Sequence, residues 1–382
     1  MRGKLLLGAA LLLIFCLPLI GAETSGRFFA YVGTYTGGAS KGIYVAKFDA
    51  ATGKLSAPEL AAETPNPTFL AIHPSGKFLY ADSEVVADGK KSSALAAFAI
   101  DRTTGRLTAL NSEPCGGRGV CHVAVDATGK CALAANYGSG SIAALPIGED
   151  GRLGELSASA QHIGQSVNTN RQAGPHAHQV VVDAANRFLF VCDLGLDKVM
   201  SYRLNAAKAE FLPNKPQATA LAAGSGPRHL AFHPNGKFAY VVSELASTVT
   251  TFAYDAEHGA LKELQTSPTL PAGFTNVNTA AEVVVHPSGK FLYASNRGHD
   301  SVAVFTIDEA TGQLTPAGHQ PTQGRKPRFI TLDPTGGFLF AANQDGGNVV
   351  VFRVDGATGK LTPTGESLQL ASPVCVQFVA AE

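Results

Sequence analysis

The chain repeats itself, and the repeat limits what it can fold into. The run His73-Pro74-Ser75-Gly76-Lys77-Phe78-Leu79-Tyr80 returns at His233 to Tyr240 and again at His286 to Tyr293. Asp333-Pro334-Thr335-Gly336-Gly337-Phe338 is a fourth copy, and weaker ones begin at Asp126 and Asp183. Phe29-Ala30-Tyr31 matches the second half of the unit without its turn. Aligned on the residue after the turn, the seven markers are Phe29, Phe78, Cys131, Phe188, Phe238, Phe291 and Phe338, spaced 49, 53, 57, 50, 53 and 47 residues apart. Self-similarity at such a period marks a solenoid, a propeller or an array.

A second marker selects among these. Asp49-Ala50-Ala51-Thr52-Gly53-Lys54-Leu55 recurs at Asp101 to Leu107, Asp308 to Leu314 and Asp355 to Leu361, with looser copies at Asp255 to Leu261 and near Gly148 and Asn205. Each unit then reads as four short strands: an apolar strand up to the His-Pro or Asp-Pro turn, a Phe-Leu-Tyr-Ala strand, one like Val302-Ala303-Val304-Phe305, and, past the Thr-Gly turn, one around Leu-Thr-Pro. The 41 glycines and 21 prolines fit many turns rather than long helices. Four strands per unit, seven times over, predict an all-β, seven-bladed β-propeller of antiparallel blades. The C-terminal Pro373 to Phe378 matches the unit's first strand and the N-terminal Phe28 to Tyr35 its second, so both chain ends should build one blade and close the ring.

Residues 23–382 are expected to form that single domain. Ahead of it, Met1-Arg2-Gly3-Lys4, an apolar run from Leu5 to Ile20 and Gly21-Ala22 have the form of a secretory signal cleaved after Ala22, which predicts a periplasmic or secreted protein. Five cysteines follow: Cys115, Cys121, Cys131, Cys192 and Cys375. Export permits a disulfide within the 115–131 cluster, and burial as small hydrophobes is the other reading. With 30 basic and 30 acidic residues, no charge stripe points to nucleic acid. No P-loop, GxSxG elbow, HExxH or dinucleotide fingerprint occurs, so no cofactor is expected.

Blade geometry sorts the remaining residues. Strand one lines the central channel and strand two runs back beside it, so the start of one and the end of the other share a rim. The starts are Thr68, Cys121, His178, Arg228, Ala281, Arg328 and Val374; the ends include Asn136, Asp193, Glu244, Arg297 and Gln344. This rim gathers His178, Arg228, Glu244, Arg297 and Arg328. The opposite rim carries His73, His233 and His286 in like turns, where they read as turn-stabilising. His176 and His178 alternate on a strand and could face one ion, but no third ligand is marked and the arginines would repel a cation, so no metal is expected. His122 and His229 share a strand position with Phe69 and Phe329 and are expected to pack between blades.

The motifs Gly174-Pro175-His176-Ala177-His178-Gln179, Gly226-Pro227-Arg228-His229, Tyr240-Val241-Val242-Ser243-Glu244 and Ala294-Ser295-Asn296-Arg297 resemble those of the seven-bladed propeller lactonases, which include propeller-type 6-phosphogluconolactonases and carboxy-muconate cyclases. The resemblance spans the chain after the leader. It implies a catalytic set of His178 (or His176), Arg228, Glu244 and Arg297. His178 would be the general acid or base, Glu244 its partner or an alternative base, and the arginines would bind an anion and the oxyanion. His176 and Arg328 join Arg228 and Arg297 as substrate-binding candidates. The implied partner is a small lactone or anionic sugar-derived substrate, with no nucleic acid and no membrane beyond the leader. The family's phosphosugar is cytoplasmic while this chain carries a leader, so the substrate stays open. A non-catalytic binding propeller and a muconate-type lactonising enzyme are the alternatives.

Overall fold

The computed structural model describes residues 26–87 and 90–382; the expected leader, residues 1–22, lies outside them. Seven antiparallel sheets are present, and their innermost strands are Leu70–Ile72, Val120–Val125, Ala177–Val182, Pro227–Phe232, Thr279–Val285, Pro327–Leu332 and Pro373–Ala380. Each of these touches the next in cyclic order and the last touches the first, which closes a seven-bladed ring. Blades 1 to 6 follow this order and have four strands each. Blade 7 joins Pro373–Ala380 to Arg27–Thr34 in register from Phe28↔Ala380 to Thr34↔Pro373. Its outer edge is broken into two pieces, Lys54–Leu55 and Glu59–Glu63, so this sheet has five strands rather than four. Arg102 of blade 1 fastens the chain end, donating to the Ala380 carbonyl at 3.0 and 3.2 Å and pairing with Glu382 at 3.2 Å.

The two repeat markers meet across blade boundaries. The marker Phe of one blade packs on the turn glycine of the next: Phe29 on Gly105, Phe78 on Gly151, Phe188 on Gly259, Phe238 on Gly312, Phe291 on Gly359 and Phe338 on Gly53. At Gly312 a Cβ would stand 2.5 Å from the Phe238 ring, and φ is +72°, so glycine is required twice over. Blade 3 has Ala209 at its turn in place of glycine, and the facing marker is Cys131 instead of Phe; both are buried in one cluster. Small side chains on both sides of that boundary replace a ring against a bare backbone. Tyr31, Tyr80, Tyr240 and Tyr293 add a hydroxyl bond of 2.9–3.0 Å to Gly105, Gly151, Gly312 and Gly359 carbonyls of the following blade. Each such bond contributes about 1 kcal/mol.

The rim histidines also join blades. His73, His233 and His286 donate Nε2–H to the carbonyls of Gly129, Gly289 and Gly336 in the next blade, while Nδ1 accepts the backbone N–H two residues on. Where Asp126 replaces His, it accepts from Asn186 of the next blade at 2.9 Å. The five described cysteines are free thiols, four of them fully buried, so the hydrophobe reading holds and no bridge forms in the 115–131 cluster.

His122 and His229 pack between blades, His122 on Phe69 and His229 on His178 of the adjacent blade. They also meet each other in the channel, at 5.4 Å. Phe69 of blade 1 lies 3.9 Å from the His122 ring, 6.0 Å from His229 of blade 4 and 5.6 Å from Phe329 of blade 6. Blades 1, 4 and 6 are not adjacent, so only the channel lets these rings touch. Together with Gln179 and Glu282 they form a layer under the charged rim.

Candidate active site

A cavity of about 930 Å³ opens on the charged rim above this layer. Strand-one starts Thr68, Cys121, His178 and Arg328, and strand-two ends Glu244, Arg297 and Gln344, lie on its wall. Among the described lining residues, Glu244 is the one carboxylate, against Arg118, Arg171, Arg297, Lys326 and Arg328. Lys326 is paired with Asp345 at 2.7 Å, so the remaining excess is carried by arginines. Such a wall favours an anionic guest and repels a metal cation. No group of three or more His, Cys, Asp or Glu among the described residues could hold an ion.

Glu244 is the hub. Its Oε1 accepts from Arg171 Nη2 at 2.5 Å and its Oε2 from Arg297 Nη2 at 2.7 Å. Arg228 Nε lies 3.2 Å from Oε2, close enough for an ion contact but not aligned as a hydrogen bond. Burial alone would raise the Glu244 pKa, but the Arg297 and Arg228 charges and the Arg171 bond bring it down to about 2. The carboxylate is therefore ionised throughout the neutral range and is a weak base. Arg228 is fully buried and not on the cavity wall; its Nη1 donates to the Ala281 carbonyl at 2.6 Å. Burial and the Arg297 and Arg328 charges push its pKa down to about 9, which still leaves it cationic at neutral pH.

His178 is buried beside the same arginines. Burial first, then Arg228, His229, Arg328 and Arg297, hold its pKa well below the usual imidazole value, so it is neutral. Its ring lies 5.4 Å from Tyr137 and 5.1 Å from His229, and Cys121 Sγ is 3.9 Å from its Nδ1. His229 in turn meets both carboxylate oxygens of Glu282 through Nδ1, at 2.8 and 2.9 Å. His176 is not on the wall: its ring stacks on Tyr137 at 4.4 Å and its Nδ1 bonds the Tyr137 carbonyl at 2.9 Å. Of the two histidines, His178 is the one presented to the cavity. Arg328 lies 5.8 Å from the Tyr35 ring centre.

Sequence reasoning missed Arg171, Tyr137 and Arg118. Arg171 stands on the 162–176 connection between blades 2 and 3, and the one available signal was the 57-residue marker spacing there, the widest of the six. Arg118 belongs to a glycine-rich turn that reads as a plain loop, yet Arg118 and Gly119 line the cavity.

The description "Lactonase, 7-bladed beta-propeller" belongs to the family model that matches residues 29–378. A 6-phosphogluconolactonase of Bacillus subtilis is 38% identical over 307 residues, covering 80% of this chain and 85% of that protein. One of Formosa agariphila is 34% identical, covering 79% and 86%. The solved structure of a periplasmic gluconolactonase from Pseudomonas aeruginosa superimposes with a TM-score of 0.87 at 33% identity, covering 93% of this chain and all of that one.

Proposed function

The chain belongs to the seven-bladed β-propeller lactonase family, and on that premise we propose that it hydrolyses a sugar-derived or other acidic lactone, as a 6-phosphogluconolactonase-like enzyme, without a metal. The observation that carries this reading is a neutral His178 on the wall of a cavity whose arginines are gathered around one carboxylate. Lactone hydrolysis needs a base for water, positive charge for the oxyanion and a proton for the leaving oxygen. Neutral His178 takes a proton from water as the water oxygen bonds to the acyl carbon. The carbonyl oxygen becomes an oxyanion in the field of the arginines. The tetrahedral adduct then collapses, the ring C–O bond breaks, and His178 returns its proton to the departing alkoxide. The products are a free hydroxyl and a carboxylic acid, which ionises to the carboxylate and releases one proton to solution.

Glu244, ionised and of low basicity, serves to hold the guanidinium groups rather than to accept the water proton. Arg228 acts from beneath the wall as fixed positive charge, Arg297 and Arg328 meet the substrate, and His176 orients Tyr137. The leader, and the periplasmic relative from Pseudomonas, support action outside the cytoplasm.

The test is acid release followed by pH-stat on glucono-δ-lactone and its 6-phosphate, with and without chelator. Release above the spontaneous rate on either lactone, unchanged by chelator, is expected. No release above the spontaneous rate on any of a lactone panel sinks the catalytic reading. Loss in chelator, restored by calcium or zinc, sinks the metal-free mechanism.

A further inference from the structure

The arginines of this site differ in how much of their donor capacity is spent. A guanidinium carries five N–H groups. Arg228 is off the wall. Arg297 gives Nε to the Thr279 carbonyl at 3.4 Å, and Nη2 to Glu244 and to the Ala280 carbonyl at 3.1 Å, so only Nη1 is left. Arg171 uses Nη2 alone, on Glu244 and on the Tyr137 hydroxyl at 3.3 Å. Its Nε and Nη1 have no protein partner among the described residues, and its side chain is 37% exposed on the cavity wall.

Arg171 is nonetheless fixed in place. The loop that carries it is anchored on Asp197, a buried carboxylate that accepts from Ser166 Oγ at 2.5 Å and Gln172 Nε2 at 2.8 Å. The same carboxylate takes the Gly224 and Gly226 backbone N–H groups at 2.6 and 2.7 Å and the Ser225 hydroxyl at 3.2 Å, which ties this loop to the one entering Arg228. The Arg171 backbone N–H is held by the Asn168 carbonyl at 3.1 Å. A donor that is positioned in advance, exposed and unspent has the properties that oxyanion stabilisation requires.

We propose that Arg171 is a catalytic residue, whose free N–H groups meet the lactone carbonyl oxygen as it gains negative charge and then hold the product carboxylate. This rests on the lactonase reading above. Asp197 is the positioning residue that presents Arg171 to the cavity. Because the contact is to the acyl oxygen, it serves phosphorylated and unphosphorylated lactones alike.

The experiment compares wild type, Arg171→Gln and Arg171→Lys on glucono-δ-lactone and its 6-phosphate, with gluconate as product inhibitor. Arg171→Gln is expected to lose about 10²–10³-fold in kcat on both lactones. Its KM should change little, and gluconate should bind at least about tenfold more weakly. Arg171→Lys restores the charge beside Glu244 and the melting temperature of wild type, but less than a tenth of the lost kcat, because the planar fork is gone. Three results each overturn the assignment: kcat of Arg171→Gln within threefold of wild type, gluconate inhibition unchanged, or full recovery in Arg171→Lys, which would mean that Arg171 only balances Glu244. A wild type that turns over neither lactone overturns the parent reading instead, and the assignment with it.

Discussion

Replacing Glu244 by Gln removes the one charge that offsets three guanidinium groups while nearly preserving shape. Two routes give the size of the effect. Removing one partner of a buried ion cluster costs about 3–5 kcal/mol, because the other charges stay buried. Independently, the Glu244 pKa is near 2 in the fold against an ordinary 4.5. That difference is worth about 3 kcal/mol by linkage. Its sign is set by the direction of the shift: a depressed carboxylate contributes stability that is fully present above its unfolded pKa and is lost as pH falls from about 4.5 towards 2. For a chain of 382 residues the unfolding entropy is about 0.8 kcal/mol per kelvin, so Glu244→Gln should lower Tm by about 4–6 °C near neutral pH. Thermal and urea melts of both proteins near pH 7 and near pH 2.5 test this. Asp82 and Glu282, raised by burial to about 7 and about 8, titrate alike in both proteins and cancel in the difference. The gap between wild type and variant should shrink by more than half at the acid end. A gap that is the same at both pH values, or no gap at all, refutes the claim that this carboxylate's charge holds the arginines.

Three further outcomes follow from the geometry. The acid limb of kcat/KM should lie well below pH 6.5, since burial and the arginines lower the His178 pKa; a limb at the ordinary imidazole value contradicts that environment. Deleting residues 373–382 removes the buried Val374, Cys375, Val376 and Val379 and leaves Arg27–Thr34 as an open edge. At about 1.5–3 kcal/mol per buried side chain this approaches the whole stability of a domain, so the truncated chain should fail to fold or melt far lower; an unchanged melt would show that ring closure contributes nothing. Gly312→Ala should cost about 2–4 kcal/mol through left-handed backbone and collision with Phe238, whereas Gly356→Ala, with open space around its Cβ, should melt like wild type; equal melting temperatures for the two would rule out the ring-on-glycine lock.

The architecture was legible in the residue pattern, because a propeller is written as a period. Seven markers, the Thr-Gly turns and the two half-units at the chain ends specify seven blades and their closure, and strand polarity alone assigns His178, Glu244, Arg297 and Arg328 to one rim and His73, His233 and His286 to the other. What the period cannot encode is the traffic between blades that do not follow one another. Arg171 reaches Glu244 and Tyr137 from an insertion that breaks the repeat, so no alignment of units contains it. Phe69, His122, His229 and Phe329 look like ordinary strand positions, yet the narrow channel brings them from across the ring into one layer. The choice between His176 and His178 was also tertiary, since it depends on Tyr137 of the preceding blade stacking on one ring and leaving the other at the cavity wall. Local spacing sets which rim a side chain reaches; ring closure decides which side chains meet there, and their shared burial sets the charge state in which they meet.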